Sequence, residues 1–464
     1  MKVLKFGGTS VGNSQSINSV IEIISDYLKR KEKITVVCSA MSGVTDDLIN
    51  VAKKAAKGDE TFEENFLKIK EKHLTTLNDL ITNSKVEKPK IFVEQTLQEL
   101  YSILKSVFLL KELTARTLDK VMSFGEYLSC YIIAETMSTR GIKCEFLDAR
   151  KIIKTDEQFG NAKVNYEVTT KLIKEYFSKH KKLQIITGFI ASTINGETTT
   201  LGRGGSDFTA SIIGAILNVD EIEIWTDVNG IMTADPRKVQ NAFPLKAVTY
   251  EEAMEMSHFG AKVIYSPTLL PALQKKIKIR IKNTFNPSFK GTLILPREPN
   301  IKFNMKGISS IDDIHMLQVE GSGLIGIEGI SARIFNALAK EKIRVLLITQ
   351  GSSGHTICLA VFPSDSIKAK RAIENELKLE IFEQQVKRVE IIENLSMLAV
   401  VGEDLLNTPG VPGMVLSALG QNGINTIAIA QGSSQLNLTI VIKKEHLKKA
   451  LNVLHDELFS ARKL

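Results

Sequence analysis

An α/β fold with a mostly parallel sheet, followed by two smaller βαββα units in tandem, is predicted by three features of this 464-residue sequence. Short β-branched runs alternate with amphipathic stretches over the first two-thirds, a Lys/Glu-rich block interrupts them, and the last third repeats itself. The branched runs at 2–6, 34–38, 183–187 and 221–225 have strand length, and helical stretches lie between them. That alternation favours parallel strands covered by helices on both faces, a three-layer αβα arrangement over about 1–300.

The interrupting block, 58–125, carries long apolar periodicities at 64–82 and 92–110 with Pro89 as a break, and reads as an inserted helical subdomain. Past it, Phe124-Gly125-Glu126 reads as the opening of a helix that continues to Met137. The pattern changes again after Pro287 and Pro299. Met316-Leu317 then matches Met397-Leu398, Gly329 matches Gly410, Ile343 matches Ile424, and Gln350-Gly351-Ser352-Ser353 matches Gln431-Gly432-Ser433-Ser434, always 81 positions on. A constant offset marks a duplication, with units at 308–390 and 391–464. One such unit has a marginal core, so the copies are expected to pack together and form equivalent pockets at their junction.

Composition removes several classes of function. With 43% hydrophobic and 24% charged residues the chain is neither disordered nor fibrous. Its net charge of +8 comes from 60 basic residues scattered among 52 acidic ones, without an Arg-rich arm, so no nucleic-acid partner is expected. Apolar runs such as 212–217 and 345–348 are too short to span a bilayer, and the N-terminus lacks a secretory pattern, which points to a cytoplasmic protein without a membrane partner. Cys38, Cys130, Cys144 and Cys358 form no CxxC pair and read as buried reduced thiols.

Four motifs could carry chemistry. In Lys5-Phe6-Gly7-Gly8-Thr9-Ser10 a strand ends in two glycines before a helix near Ser14; such a turn lets backbone N–H groups approach phosphate oxygens, with Lys5 as a mobile charge. A Gly-Gly after a strand is also an ordinary turn. In Thr200-Leu201-Gly202-Arg203-Gly204-Gly205-Ser206-Asp207 an arginine fork sits among three glycines ahead of an apolar helix at 208–217; Ser206 or Asp207 could equally be a plain N-cap. The Ser39-Ala40-Met41-Ser42-Gly43-Val44-Thr45 loop follows an apolar strand and should face the ligand crevice, while Glu126 suits either a site or a helix N-terminus. Finally, Trp225-Thr226-Asp227, Met232, Asp235-Pro236-Arg237 and Phe259-Gly260-Ala261-Lys262-Val263 would suit a nucleotide, though each piece could be a turn.

In this order, these motifs make the chain resemble the aspartate kinases over its whole length, within the amino-acid kinase fold, and the duplicated units resemble a pair of ferredoxin-like ACT domains. The resemblance implies ATP-dependent phosphorylation of the β-carboxylate of L-aspartate, the first step toward lysine, threonine and methionine. It implies catalytic roles for Lys5, Gly8, Ser39 and Asp207, and aspartate binding by Thr45, Glu126, Thr200, Arg203 and Ser206. ATP would lie on Lys5, Gly7, Gly8, Thr226, Asp227, Met232, Arg237, Lys262 and Val263, with Mg2+ held through the ATP phosphates and no protein metal site. Gln350 and Gln431 would bind a feedback amino acid, and ACT pairing implies a homodimer or larger homo-oligomer.

The sequence departs from the family at Met232, where many members have Tyr, and at Ile264-Tyr265-Ser266, which stands for Leu-His-Pro. The segments around Gln350 and Gln431 resemble threonine-responsive members more than lysine-responsive ones, yet Gly354 and Gln435 occupy the place of a usual Glu. The kinase part looks closest to bifunctional relatives that continue into a homoserine dehydrogenase; no dinucleotide fingerprint occurs here. A glutamate or N-acetylglutamate kinase is the alternative enzyme, disfavoured by Glu126 with Arg203, which suit a free α-amino acid. A degenerate sensor without catalysis is disfavoured by intact Lys5, Arg203 and Asp207.

Overall fold

The computed structural model describes residues 1–81, 83–259, 266–296, 304–321, 329–351, 356–403, 405, 408–431 and 436–459. They form two compact units. The first takes Met1–Ile231, Pro244–Tyr250 and 266–296; the second takes Met232–Phe243, 251–259 and the described residues from 304 onward.

The first unit is built on an eight-stranded sheet of β1 (Lys2–Phe6), β2 (Ile34–Cys38), β3 (Cys144–Leu147), β5 (Leu183–Thr187), β8 (Glu221–Thr226), β9 (Ala247–Thr249), β10 (Lys278–Asn283) and β11 (Thr292–Leu295). Its order is β3-β5-β2-β1-β8-β10-β11-β9. Only β10 and β11 pair antiparallel, so the sheet is mostly parallel as predicted. A small sheet of β4 (Lys154–Thr155), β6 (Ile190–Thr193) and β7 (Thr198–Thr200) lies in the same unit. Side-chain alternation along the central strands serves two faces. Leu4, Phe6, Val36, Cys38 and Trp225 join one core with the helices Ser14–Lys29, Val44–Ala56 and Ala115–Thr139. On the other face the helix Gly205–Leu217 packs so closely that a Cβ on Gly214 would lie 2.7 Å from Ile222.

Two local expectations change, both for reasons visible in the backbone. Phe124-Gly125-Glu126 does not open a helix: the helix begins at Ala115, where the Thr114 side chain accepts the Thr117 N–H, and runs unbroken to Thr139. Gly125 sits mid-helix because a Cβ there would come 2.8 Å from Ala40, so glycine serves close packing and not termination. Ser206 and Asp207 are likewise not N-caps: Gly204, at φ 72°, caps the helix Gly205–Leu217 without a side-chain bond and leaves both in its first turn. In the helical block, helices run Phe62–Leu80 and Glu87–Leu110, and Pro89 lies in the first turn of the second, where its missing N–H costs nothing.

The second unit carries an antiparallel six-stranded sheet, order β13-β14-β12-β15-β17-β16. Its strands are β12 (Asn304–Glu320), β13 (Leu347–Gln350), β14 (Thr356–Val361), β15 (Arg388–Glu403), β16 (Ala428–Ala430) and β17 (Asn437–Lys443). The first strand of each repeat is far longer than the unit needs, and β12 and β15 pair along their lengths with register shifts near Ile311–Ile314. Each opening strand consequently serves both cores. Met305 and Ile308 of β12 pack with Leu398, Val400, Val415, Ile440 and Leu451 of the second repeat. Val386 and Val389, just before and within β15, pack with Leu317, Val319, Ile334, Leu359 and Ile373 of the first.

Candidate active site

Parallel strands deliver their carboxyl ends to one edge of the sheet, where α/β folds bind ligands. The register Phe6↔Cys38, Cys38↔Thr187 and Phe6↔Trp225 aligns the ends of β1, β2, β5 and β8, so the loops after them start side by side. The loops are also bonded to one another: Gly7 N–H donates to Trp225 O at 3.0 Å, Ser39 N–H to Phe6 O at 3.1 Å, and Gly188 N–H to Cys38 O at 2.9 Å.

At this edge the Lys5 ammonium contacts Asp207 Oδ1 at 2.7 Å, both side chains about nine-tenths buried. The approach lies outside hydrogen-bonding alignment, so that oxygen has ion contact with Lys5 but, among the described residues, no hydrogen-bond partner. Gly7 flanks the lysine, since a Cβ there would sit 3.5 Å from Nζ, and Gly8 lies against the Ala40 carbonyl, 3.2 Å from where its Cβ would be. Opposite Ser206 the chain must be glycine: a Cβ on Gly188 would fall 2.6 Å from Ser206 Oγ. Arg203 is exposed between Gly202 (φ 71°) and Gly204 (φ 72°), two left-handed positions that bend the loop around it. Ser39 and Thr45 are half-buried, Thr45 in the first turn of the helix Val44–Ala56.

Glu126 is the electrostatic oddity. It is only 3% exposed, and among the described residues its Oε2 has no hydrogen-bond partner. Burial pushes its carboxyl up to about 8, against the opposing pull of the Ala40 backbone N–H and the Lys5 charge. An uncompensated buried carboxylate is costly, and a bound cation would relieve that cost.

These observations put Lys5, Gly7, Gly8, Ser39, Glu126, Ser206 and Asp207 in one connected cluster at the sheet edge. Comparison with known proteins agrees in kind. Residues 1–283 match the amino acid kinase family, and 317–377 and 398–458 match the ACT domain. The aspartokinase of Schizosaccharomyces pombe is 31% identical over 488 residues, covering 98% of this chain and 92% of that protein. The chain belongs to the aspartokinases of the amino acid kinase family.

Among other members, bifunctional aspartokinase/homoserine dehydrogenase 2 of Arabidopsis thaliana is 36% identical over 468 residues, covering 99% of this chain and 51% of that protein. The chain thus spans about half the length of the bifunctional curated relatives it matches. The crystal structure of E. coli aspartokinase III in complex with aspartate and ADP superposes with a TM-score of 0.81 at 28% identity, covering 99% of this chain and 100% of that one.

Other expected site residues lie elsewhere or are engaged. Thr200 is fully buried, and its hydroxyl donates to Asp119 Oδ1 at 2.8 Å. Asp119 itself escaped the sequence reading, because it stands outside every glycine-rich motif. Thr226 ends β8 and Asp227 follows it, the threonine hydroxyl donating to the Asp227 carboxylate at 3.2 Å. Met232 and Arg237 belong to the second unit, where the Arg237 guanidinium grips Asp235 through two bonds at 3.0 and 2.7 Å. Lys262 and Val263, with Ile264 and Tyr265, lie outside the described residues, as do Gly354 and Gln435. Gln350 and Gln431 are exposed, at the end of β13 and just past β16. These are the two edge strands of the six-stranded sheet, yet they approach with Cα atoms within 8 Å.

Among the described residues Cys38, Cys130, Cys144 and Cys358 are unpaired; the first two are buried as expected, whereas Cys144 and Cys358 are half-buried. Among the described residues, too, no helix is long and apolar enough to cross a membrane.

Proposed function

We propose that this chain is an aspartate kinase: it transfers the γ-phosphoryl group of ATP to the β-carboxylate of L-aspartate, giving 4-phospho-L-aspartate. The observation that carries the proposal is the pairing of a buried, cation-seeking Glu126 with the Lys5–Asp207 ion pair at one sheet edge. An α-amino acid supplies the missing cation through its ammonium group. Arg203, with its fork of donors, takes the α-carboxylate, Ser206 and Thr45 line the remainder, and Ser39 lies on the phosphate side.

The phosphates fit the Gly7–Gly8 turn, where backbone and Lys5 approach with little room for side chains. Mg2+ supplies charge neutralisation on the nucleotide phosphates. The β-carboxylate is ionised at neutral pH, so no general base is required. A β-carboxylate oxygen forms the bond to phosphorus while the bond to the ADP oxygen breaks, and Lys5, fixed by Asp207, follows the developing charge. The nucleotide's other groups are assigned to Thr226, Asp227, Met232, Arg237, Lys262 and Val263.

The ACT units act as a sensor in this reading. Their effector is an end-product amino acid, threonine favoured over lysine, read by Gln350 and Gln431, and their pairing makes a homodimer or larger homo-oligomer in the cytoplasm. One assay tests substrate and effector together: incubation with ATP, Mg2+ and aspartate, trapping of the acyl phosphate by hydroxylamine, and repetition with threonine, lysine or methionine. Hydroxamate from aspartate but not from glutamate or N-acetylglutamate, suppressed by threonine, is the expected result. Turnover of glutamate in preference to aspartate, or none with any amino acid, would overturn it.

A further inference from the structure

Asp119 is fully buried in the helix Ala115–Thr139, seven residues before Glu126. Seven residues make about two helical turns, so the two carboxylates share a face of the helix. Asp119 Oδ2 accepts the N–H of Gly160 at 2.8 Å and of Thr200 at 3.0 Å, and Oδ1 accepts the Thr200 hydroxyl at 2.8 Å. Among the described residues no cation pairs with it. Burial raises its carboxyl while those three hydrogen bonds draw it back down.

The groups it holds are the two approaches to Arg203. Thr200 ends β7 and leads through Leu201 to Gly202, and its carbonyl accepts the Ala162 N–H at 3.0 Å. Asn161 closes against Gly202 so tightly that a Cβ there would lie 2.4 Å from its Oδ1. The stretch from Gly160 to Ala162 and the stretch from Thr200 to Gly202 are therefore one assembly, and Asp119 pins both to the helix that carries Glu126. A buried carboxylate without a counter-ion is a poor device for stability alone, since apolar packing would serve as well. It is a good device for fixing orientation, because two oxygens set the direction of three donors.

We propose that Asp119 is a positioning residue for the amino-acid substrate: it holds the Arg203 loop in register with Glu126, so that the two ends of the substrate's α-amino acid moiety are met at a fixed separation. The inference rests on the aspartate-kinase reading. It predicts an effect on aspartate and not on ATP, because the Lys5, Gly7 and Gly8 turn makes no contact with Asp119 among the described hydrogen bonds.

The test compares Asp119→Ala, Asp119→Asn, Thr200→Val and Thr200→Ser in the full chain, by steady-state kinetics and by calorimetric titration of aspartate, with thermal melts as the folding control. Asp119→Ala should raise KM for aspartate on the order of tenfold to a hundredfold, with KM for ATP within about twofold of the parent. Asp119→Asn should recover most of the loss: its amide oxygen can accept both backbone N–H groups while its NH2 donates to the Thr200 hydroxyl, which turns to accept. Equal damage from Ala and Asn, or a parallel rise in both KM values, overturns the positioning role. If Asp119→Ala does not fold, the threonine pair decides. A several-fold rise in aspartate KM in Thr200→Val that Thr200→Ser restores supports the role, and an unchanged Thr200→Val refutes it. Failure of the parent protein to bind or turn over aspartate removes the kinase reading instead, which keeps the two failures apart.

Discussion

The two units solve opposite problems. The first gathers residues far apart in sequence, Lys5, Ser39, Glu126 and Asp207, by aligning the ends of parallel strands, and buries the charges it collects. The second multiplies one short unit, exchanges opening strands between the copies, and leaves its candidate recognition residues, Gln350 and Gln431, exposed at the ends of edge strands. Convergence makes a site whose energetics are electrostatic. Duplication makes one whose energetics depend on how two similar surfaces meet.

The largest effect expected from this contrast is at the ion pair. Lys5→Ala or Asp207→Ala should lower hydroxamate formation by at least about a thousandfold, since charge stabilisation in a water-poor site is the main contribution to phosphoryl transfer. The second unit should be untouched: its thermal transition and effector titration should match the parent. Loss of the effector response together with activity would break the division between the units.

Glu126 gives the next largest effect. With its carboxyl near 8, it is protonated in the free protein at neutral pH, and capture of an ammonium group requires the ionised form. Aspartate binding therefore releases a proton, and KM for aspartate should fall about tenfold per pH unit from 6 toward 8, then level off. A flat profile across that range removes Glu126 from the substrate site. Stability moves the other way. The folded value lies above the ordinary 4.5, so the protein is unpenalised below 4.5 and loses stability as pH rises from there to about 8. Glu126→Gln should abolish that loss, on the order of 1.4 kcal/mol per pH unit, while weakening aspartate binding at every pH.

A packing variant sharpens the second half of the contrast. Ile308 belongs to the first repeat by sequence and to the second repeat's core by contact. Ile308→Ala should destabilise the second unit by about 2–4 kcal/mol, and proteolysis should open the helices Val411–Gln421 and Leu447–Phe459 before Pro363–Glu376. Val389→Ala should invert that order, because Val389 serves the first repeat's core. Identical cleavage in both variants would mean that the shared strands do not divide as their contacts suggest.

How much of this was legible in sequence follows the same line. Strands 2–6, 34–38 and 183–187 were read to the residue, and the fourth missed only Thr226, because buried parallel strands advertise themselves as short branched runs. Lys5, Gly8 and Asp207 were legible because phosphate and loop geometry demand glycines in recognisable clusters. Glu126 was singled out but misplaced at a helix start: sequence shows Gly125 and not the Ala40 methyl that requires it. Asp119 was illegible, for its meaning lies in a loop and a strand end 41 and 81 residues away that only the fold brings to it. The strand exchange was hidden too, since the 81-residue repeat marks equivalence and carries no information about which core an apolar residue joins.

The smallest predicted effect separates the repeats themselves. Gln350 and Gln431 are equivalent by duplication, and both side chains are exposed beside approaching edge strands. If an effector binds where these edges meet, each glutamine contributes one hydrogen bond from a partly solvated position, worth about 0.5–1.5 kcal/mol. Gln431→Ala should then raise the threonine concentration for half-inhibition about two- to thirteenfold, and Gln350→Ala should do the same if the two pockets are used alike. The double variant tests their independence. Additive effects in kcal/mol mean that the two residues act independently, whereas a double variant no worse than either single one means that they are coupled through one bound molecule. An unchanged response in Gln431→Ala would sink the assignment, because a group that reads the effector cannot be removed without cost.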